Sequence, residues 1–391
     1  MHVACEVTPR VTKRRYELDW LRALAVLVVF LYHSARFFNG QYWDIRNTGR
    51  SAWVDLGAGF VGLWLIPLFF LVSGAATRFT LERYSSREYV QRRFKRLLLP
   101  FIFGTLLLSP LQAWLLSPAA LSAKGGWLSF YADFFTSNLH AARWSLAWLF
   151  EAFGYHLWFL GFLFVYSVLA LPVFAALGNR PEGRKLIDWL AGRCNSVWAL
   201  LLWAVPLVIV QCALRAGFPE YLGLADFCFW LLFFLYGYLL YADSRILDVL
   251  VEQRREILVV AVACFLALAI ARYGGFVGGW QQHPSYSAGF MLFQVLWSVG
   301  AWTWLLYILS LGIRFFSFGN AGIRYATAAV LPFYVFHQPV VMGVGLLVAE
   351  WNMNVAVGWL IVSALSMALT LAIYESIIRR TRLTRFAFGL G

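Results

Sequence analysis

Ten apolar runs recur along this chain, each long enough to cross a bilayer as a helix. They fall at about 18–38, 56–78, 97–117, 155–177, 196–214, 223–242, 257–272, 288–312, 325–348 and 355–377. Runs of that length and number leave little room for a soluble domain. Composition agrees: 61% of the 391 residues are hydrophobic and 13% are charged, against about 25% charged in a soluble protein. The chain reads as an all-α polytopic membrane protein of about ten transmembrane helices. Residues 1–17 form a polar, basic leading segment without the features of a cleavable signal. Residues 18–377 form the membrane domain and 378–391 a basic tail.

Charge gives the runs a direction. An even number of spans puts both termini on one side. Twenty-four of the 32 lysines and arginines fall on that side, seven on the other, and Arg22 lies inside the first run. Positive loops stay inside, so both termini are expected in the cytoplasm, with the protein in the cell's inner membrane. The net charge of +13 is then a matter of topology and gives no ground for nucleic-acid binding. Between the third and fourth runs, WLSFYADFF and RWSLAWLFEAF read as helices lying along the membrane surface. The five cysteines show no metal-ligand spacing and read as reduced structural residues. No HExxH, Walker, GxSxG or dinucleotide motif occurs, so no metal or nucleotide cofactor is expected.

Ionisable groups inside such runs mark function. Arg22 and His33 are eleven positions apart on the first run. At about 100° per residue they share one face, roughly 16 Å apart along the axis. His33 reads either as a structural histidine bonded to a neighbouring helix or as a general base, since imidazole titrates near working pH. Arg92, Arg93, Lys95 and Arg96 are denser than orientation requires, and Arg93 and Arg96 are three apart. Guanidinium forks match phosphate oxygens, so a phosphorylated cytoplasmic ligand is one reading and anionic lipid the other. His156 and Trp158 stand at the outer mouth of the fourth run. His337, Gln338 and Pro339 together read as a cavity-lining break in the ninth. Glu375 reads as a salt-bridge partner near the cytoplasmic end of the tenth. His283 is a weak candidate, His140 a surface residue, and Ser73-Gly74 a small-residue helix contact.

In order, these residues resemble the integral-membrane acyltransferase-3 family over nearly the whole chain. The likeness rests on LDxLR…H (Arg22, His33), FFLVSG (Phe69 to Gly74), RxxR followed by proline (Arg93, Arg96, Pro100), HLWFL (His156 to Leu160) and YxxHxP (Tyr334, His337, Pro339). Within the family it looks most similar to the branch that succinylates periplasmic glucans. Some relatives carry an esterase-like domain after the last span, and the sequence given does not. The resemblance implies transfer of an acyl group from cytoplasmic acyl-coenzyme A to a hydroxyl of an extracytoplasmic carbohydrate. It implies that Arg93 and Arg96, with Arg92 and Lys95 beside them, hold coenzyme A phosphates. His33 would act as base or acyl carrier, with Arg22 orienting the thioester or stabilising an oxyanion. His156, Trp158, His337, Gln338 and Glu375 would serve the acceptor side. The rival readings are a proton-coupled transporter of a small anion and a lipid-gripping scaffold. The first predicts repeated halves, which the chain does not display, and the second has no use for histidines inside the membrane.

Overall fold

The computed structural model describes residues 14–40, 49–117, 126–140, 146–282, 284–351 and 353–390, and every regular element among them is helical. The elements that position the site are α1 (Tyr16–Ala35), α2 (Ala52–Leu81), α3 (Ser86–Arg93), α4 (Leu99–Leu107), α5 (Trp158–Leu169), α6 (Ala204–Leu214), α7 (Leu224–Leu240) and α8 (Ala321–Val348). Among the described residues, nine helical stretches are long and apolar enough to cross a membrane. A tenth is reached by counting α7 with Ser244–Glu252, which turns away from it by 103°. By itself α7 is 17 residues, about 26 Å at 1.5 Å per residue. The sharp turn follows where Asp243 caps the next helix by accepting from the Arg245 N–H.

Helix α1 has neither glycine nor proline inside it, and Glu17 and Asp19 sit in its first turn, where carboxylates suit the helix dipole. It packs on α2 and α8, with Leu21, Ala25, Val29 and Phe30 buried. Helix α2 crosses α7 at a point where backbone meets backbone. A Cβ added to Gly74 would lie 1.9 Å from the Phe234 carbonyl oxygen, and one added to Gly237 would lie 1.9 Å from that of Leu71. The Ser73-Gly74 contact read from the sequence is therefore met by a second glycine on the facing helix. Without a hydrophobic drive between helices in lipid, such close approach is what holds them together.

Two segments differ from expectation. The basic stretch before the third run is helical from Ser86. Ser85 accepts from the Glu88 N–H while Glu88 takes the Ser85 N–H, a capping box that starts α3 eleven residues before the expected span. Helix α3 then passes into α4 through a widened π-turn at Phe94–Leu98, where the Leu99 N–H reaches the Phe94 carbonyl. The cause is Pro100, which has no N–H for the Arg96 carbonyl and whose ring crowds it. The second difference is RWSLAWLFEAF, expected along the membrane surface. Trp148–Leu169 instead forms one continuous membrane-length stretch, its two helices joined by the single turn Tyr155–Leu157. WLSFYADFF does lie in a helix of its own, Gly126–His140, with His140 exposed.

Candidate active site

Helix α8 contains Pro332 and Pro339. Proline offers no N–H to the carbonyl four residues back, so Pro339 leaves the Val335 carbonyl without its helix partner. His156 supplies one, its Nε2 donating to Val335 O at 3.0 Å. Tyr334 answers by donating its hydroxyl to the His156 carbonyl. One turn of broken helix is thus repaired by a histidine from the turn before α5. The other His156 nitrogen, Nδ1, is left as an acceptor with no hydrogen-bond partner.

The same break fixes His337. Its Nδ1 lies 2.6 Å from the Tyr334 carbonyl oxygen. A carbonyl only accepts, so in the neutral ring Nδ1 carries the proton and Nε2 is the acceptor. His33 Nδ1 stands 3.0 Å from that Nε2 and therefore donates to it. The lone pair of neutral His33 is then on Nε2. The two rings are stacked, with centroids 5.1 Å apart and planes 11° from parallel. His156 meets His337 edge-on at 5.3 Å. A base held in one tautomer by a second group, itself anchored, is the arrangement that general-base catalysis uses. His33 and His156 line a cavity of about 770 Å³, together with Tyr32, Arg36, Trp158, Tyr334 and Gln338. That volume suits a small-molecule site. Among the described residues no three histidine, cysteine or carboxylate side chains converge as metal ligands.

The arginines gather at the other end of α1. Arg93 Nη2 donates to Thr77 Oγ1 at 2.7 Å and reaches the Ser73 carbonyl at 3.4 Å. Thr77 in turn donates to Ser73 O and meets the Tyr89 hydroxyl at 3.1 Å. FFLVSG and RxxR are thereby one hydrogen-bonded unit. Arg22 pairs with Asp19 at 3.7 Å, and the charges of Arg96 and Arg93 both act on it. Arg92 stacks on Tyr84, 3.6 Å above its ring. Arg92, Lys95 and Arg96 are exposed and Arg93 is half-buried. The tail folds back here, bringing Gly389 beside Arg96. Guanidinium forks match phosphate oxygens in geometry.

Comparison with known proteins decides the family. The family model described as "Acyltransferase domain" matches residues 15–375. The chain belongs to this family. It is an O-acyltransferase and a multi-pass membrane protein. Among similar curated proteins are those called "Glucans biosynthesis protein C" from Shigella dysenteriae serotype 1 (strain Sd197), Escherichia coli (strain SMS-3-5 / SECEC) and Escherichia coli (strain K12). Each is 23% identical over 392 residues, covering 98% of this chain and 96% of the relative. No solved structure matches.

In this acyltransferase the predicted residues divide into two groups. His33, His156, Trp158, His337 and Gln338 come together around the cavity and its wall. Arg22 keeps company with Arg93 and Arg96 rather than with His33. Glu375 stands apart, half-buried in a π-turn and paired with Arg379 at 2.9 Å. His283 lies outside the described residues. Sequence reading missed Gln211, Arg215 and Asp226, which also line the cavity. Arg215 and Asp226 were visible as charges at the ends of adjoining runs, but nothing in their spacing shows that the runs bring them together.

Proposed function

We propose that the enzyme moves an acetyl or succinyl group from cytoplasmic acyl-coenzyme A to a hydroxyl of an extracytoplasmic carbohydrate, such as a glucan or a cell-surface polysaccharide. It does so in the inner membrane with both termini in the cytoplasm. The observation that carries the reading is the His33–His337 pair, 3.0 Å apart, at the wall of the cavity. Nε2 of His33 takes the proton of the acceptor hydroxyl as its oxygen attacks the acyl carbon. The new C–O bond forms, the C–S bond of the thioester breaks, and the proton passes to the leaving thiolate. While His33 is cationic, its Nδ1–H bond to His337 strengthens, and His337 passes the polarisation to the Tyr334 carbonyl. His156 Nδ1, unpartnered in the same wall, accepts from a second sugar hydroxyl.

The arginine cluster supports the donor. Coenzyme A carries a diphosphate and a 3′-phosphate, and Arg22, Arg93 and Arg96 form a basic group at the end of the bundle that bears the termini. Arg93 is already bonded to Thr77, so it ties α3 to α2, while exposed Arg96 offers its fork to phosphate. The 24 basic residues on that side support its cytoplasmic exposure.

The test uses membranes given acyl-coenzyme A labelled in the acyl group, with label counted on extracted glycan. Wild type transfers label, and His33→Ala at equal protein level loses about 10²-fold or more of the rate. Unchanged transfer by His33→Ala defeats the proposal. So does pH-driven solute uptake without any transfer.

A further inference from the structure

The cavity has a second polar centre, away from the histidines in sequence and unused by the transfer step. Gln211 and Arg215 are four apart on and just after α6, so they share a face. Gln211 Oε1 accepts from Arg215 Nε at 2.9 Å. Arg215 Nη2 donates to Asp226 Oδ1, and the Leu222 N–H donates to Asp226 Oδ2 at 3.1 Å. Leu222 reaches that position with φ 62°, a left-handed conformation that a branched side chain rarely takes. Tyr155, φ 45°, is the other such residue among those described, and both line this cavity. Backbone strain of this kind gathers where a site has to be shaped.

Two features say what the centre is for. Gln211 is 1% exposed, and its amide nitrogen has no hydrogen-bond partner. An unmet buried donor of this kind is costly, and a ligand oxygen recovers the loss. The second feature is aromatic. Trp230 is four residues after Asp226 on α7 and stacks on Trp158, with centroids 5.0 Å apart and planes 24° from parallel. Tyr221 meets both indoles edge-on at 5.8 and 6.1 Å. All three rings line the cavity.

We infer that Gln211, Arg215 and Asp226, with the aromatic corner of Trp158, Tyr221 and Trp230, form a subsite for a neutral sugar ring of the acceptor. The inference rests on the carbohydrate reading above. Arg215 is already neutralised by Asp226, so the centre has no net charge to attract an anion. It presents one free amide donor, a guanidinium and a carboxylate with lone pairs to spare. That mixed set matches hydroxyl groups, which donate and accept, while the ring's C–H face meets the electron-rich faces of the aromatics.

The experiment uses the full chain in lipid nanodiscs, short linear glucose oligosaccharides as acceptors, and acetyl- and succinyl-coenzyme A as donors. Gln211→Leu removes the amide donor at similar volume. Gln211→Glu keeps an oxygen for Arg215 Nε and puts a second acceptor oxygen where the amide donor was, with a negative charge beside Arg215, so the lost donor is tested by two different side chains. Both are expected to raise the acceptor KM about tenfold, the effect of one lost hydrogen bond, without moving the KM for the donor. An acceptor KM within about twofold of wild type in both variants overturns the subsite. So does an equal shift in donor and acceptor KM, the mark of a general structural change. If the wild type acylates no saccharide, the functional proposal has failed separately. Calorimetric titration of the oligosaccharides then decides the subsite: binding lost in Gln211→Leu upholds it, while equal binding or none in wild type overturns it.

Discussion

His33 acquires its chemical definition from a residue 304 positions away. An ionisable side chain on an apolar run was legible, and so was the face it shares with Arg22. What the spacing left open was its partner. His337 read as a cavity wall, whereas it contacts His33 directly and is fully buried. That contact depends on how α1 and α8 pack, which no local pattern encodes. Proline gave the nearest signal, because Pro339 frees the Val335 carbonyl that His156 then occupies. The pair makes a prediction at this scale. His337→Phe keeps a ring to stack on His33 and removes the nitrogen that accepts the hydrogen bond of its Nδ1–H. The tautomer of His33 is no longer held. Initial rates are expected to fall roughly ten- to a hundredfold in kcat, on the scale of general-base effects, with little change in KM for either substrate. A kcat equal to wild type removes His337 from the proposed relay.

Elements carry the next level of specificity. FFLVSG announced a close helix contact, and the contact has a glycine on each side, Gly74 on α2 and Gly237 on α7. Gly237 sits in an aromatic run, FFLYGYLL, where a lone glycine gives no hint of which helix approaches. A methyl group on Gly74 would meet a carbonyl oxygen at 1.9 Å, and backbone cannot rotate out of the way as a side chain can. Gly74→Ala is expected to destabilise the bundle by about 1–3 kcal/mol or more, read as a lower midpoint of thermal unfolding in detergent. Gly59→Ala, on the same helix with nothing within 4 Å of its added carbon, is the control and leaves the midpoint in place. Equal behaviour of the two variants dismisses the crossing as a stability determinant. The capping box at Ser85 and Glu88 is written in the sequence as S-x-x-E, one turn ahead of the arginine-rich stretch. The π-turn after it follows from Pro100, which the sequence shows as the proline after RxxR, while its effect on the preceding arginines depends on the helix running continuously through them.

At the scale of the whole molecule, length and charge carried the most. The apolar runs outline a helical architecture with nine or ten membrane-length stretches among the described residues, but not the contacts among helices. Arg22 and His33 stand on one helix, about 16 Å apart, with Arg93 and Arg96 acting on the first and His337 beside the second, and the cavity takes in His33 without Arg22, Arg93 or Arg96. Phe69 and Phe159, 5.3 Å apart, line it together with Val29. On the proposed reading the coenzyme A phosphates are held at the arginine end and the acceptor hydroxyl at the histidine end, with the acyl-bearing arm spanning the roughly 16 Å between them, and the direction of transfer follows from which end faces the cytoplasm. Cysteine labelling reads this directly. Arg87 on α3 and Glu220 before α7 are both exposed, and the proposal places them on opposite sides. The native background is favourable at Cys194, which is buried and whose thiol burial pushes up. Only the thiolate reacts, so Cys194 labels slowly near neutral pH and faster as pH rises. In spheroplasts treated with a membrane-impermeant maleimide, Glu220→Cys is expected to label before lysis and Arg87→Cys only after it. The opposite pattern inverts the protein in the membrane. The arginine group would then face away from cytoplasmic coenzyme A, and the proposed direction of transfer fails with it.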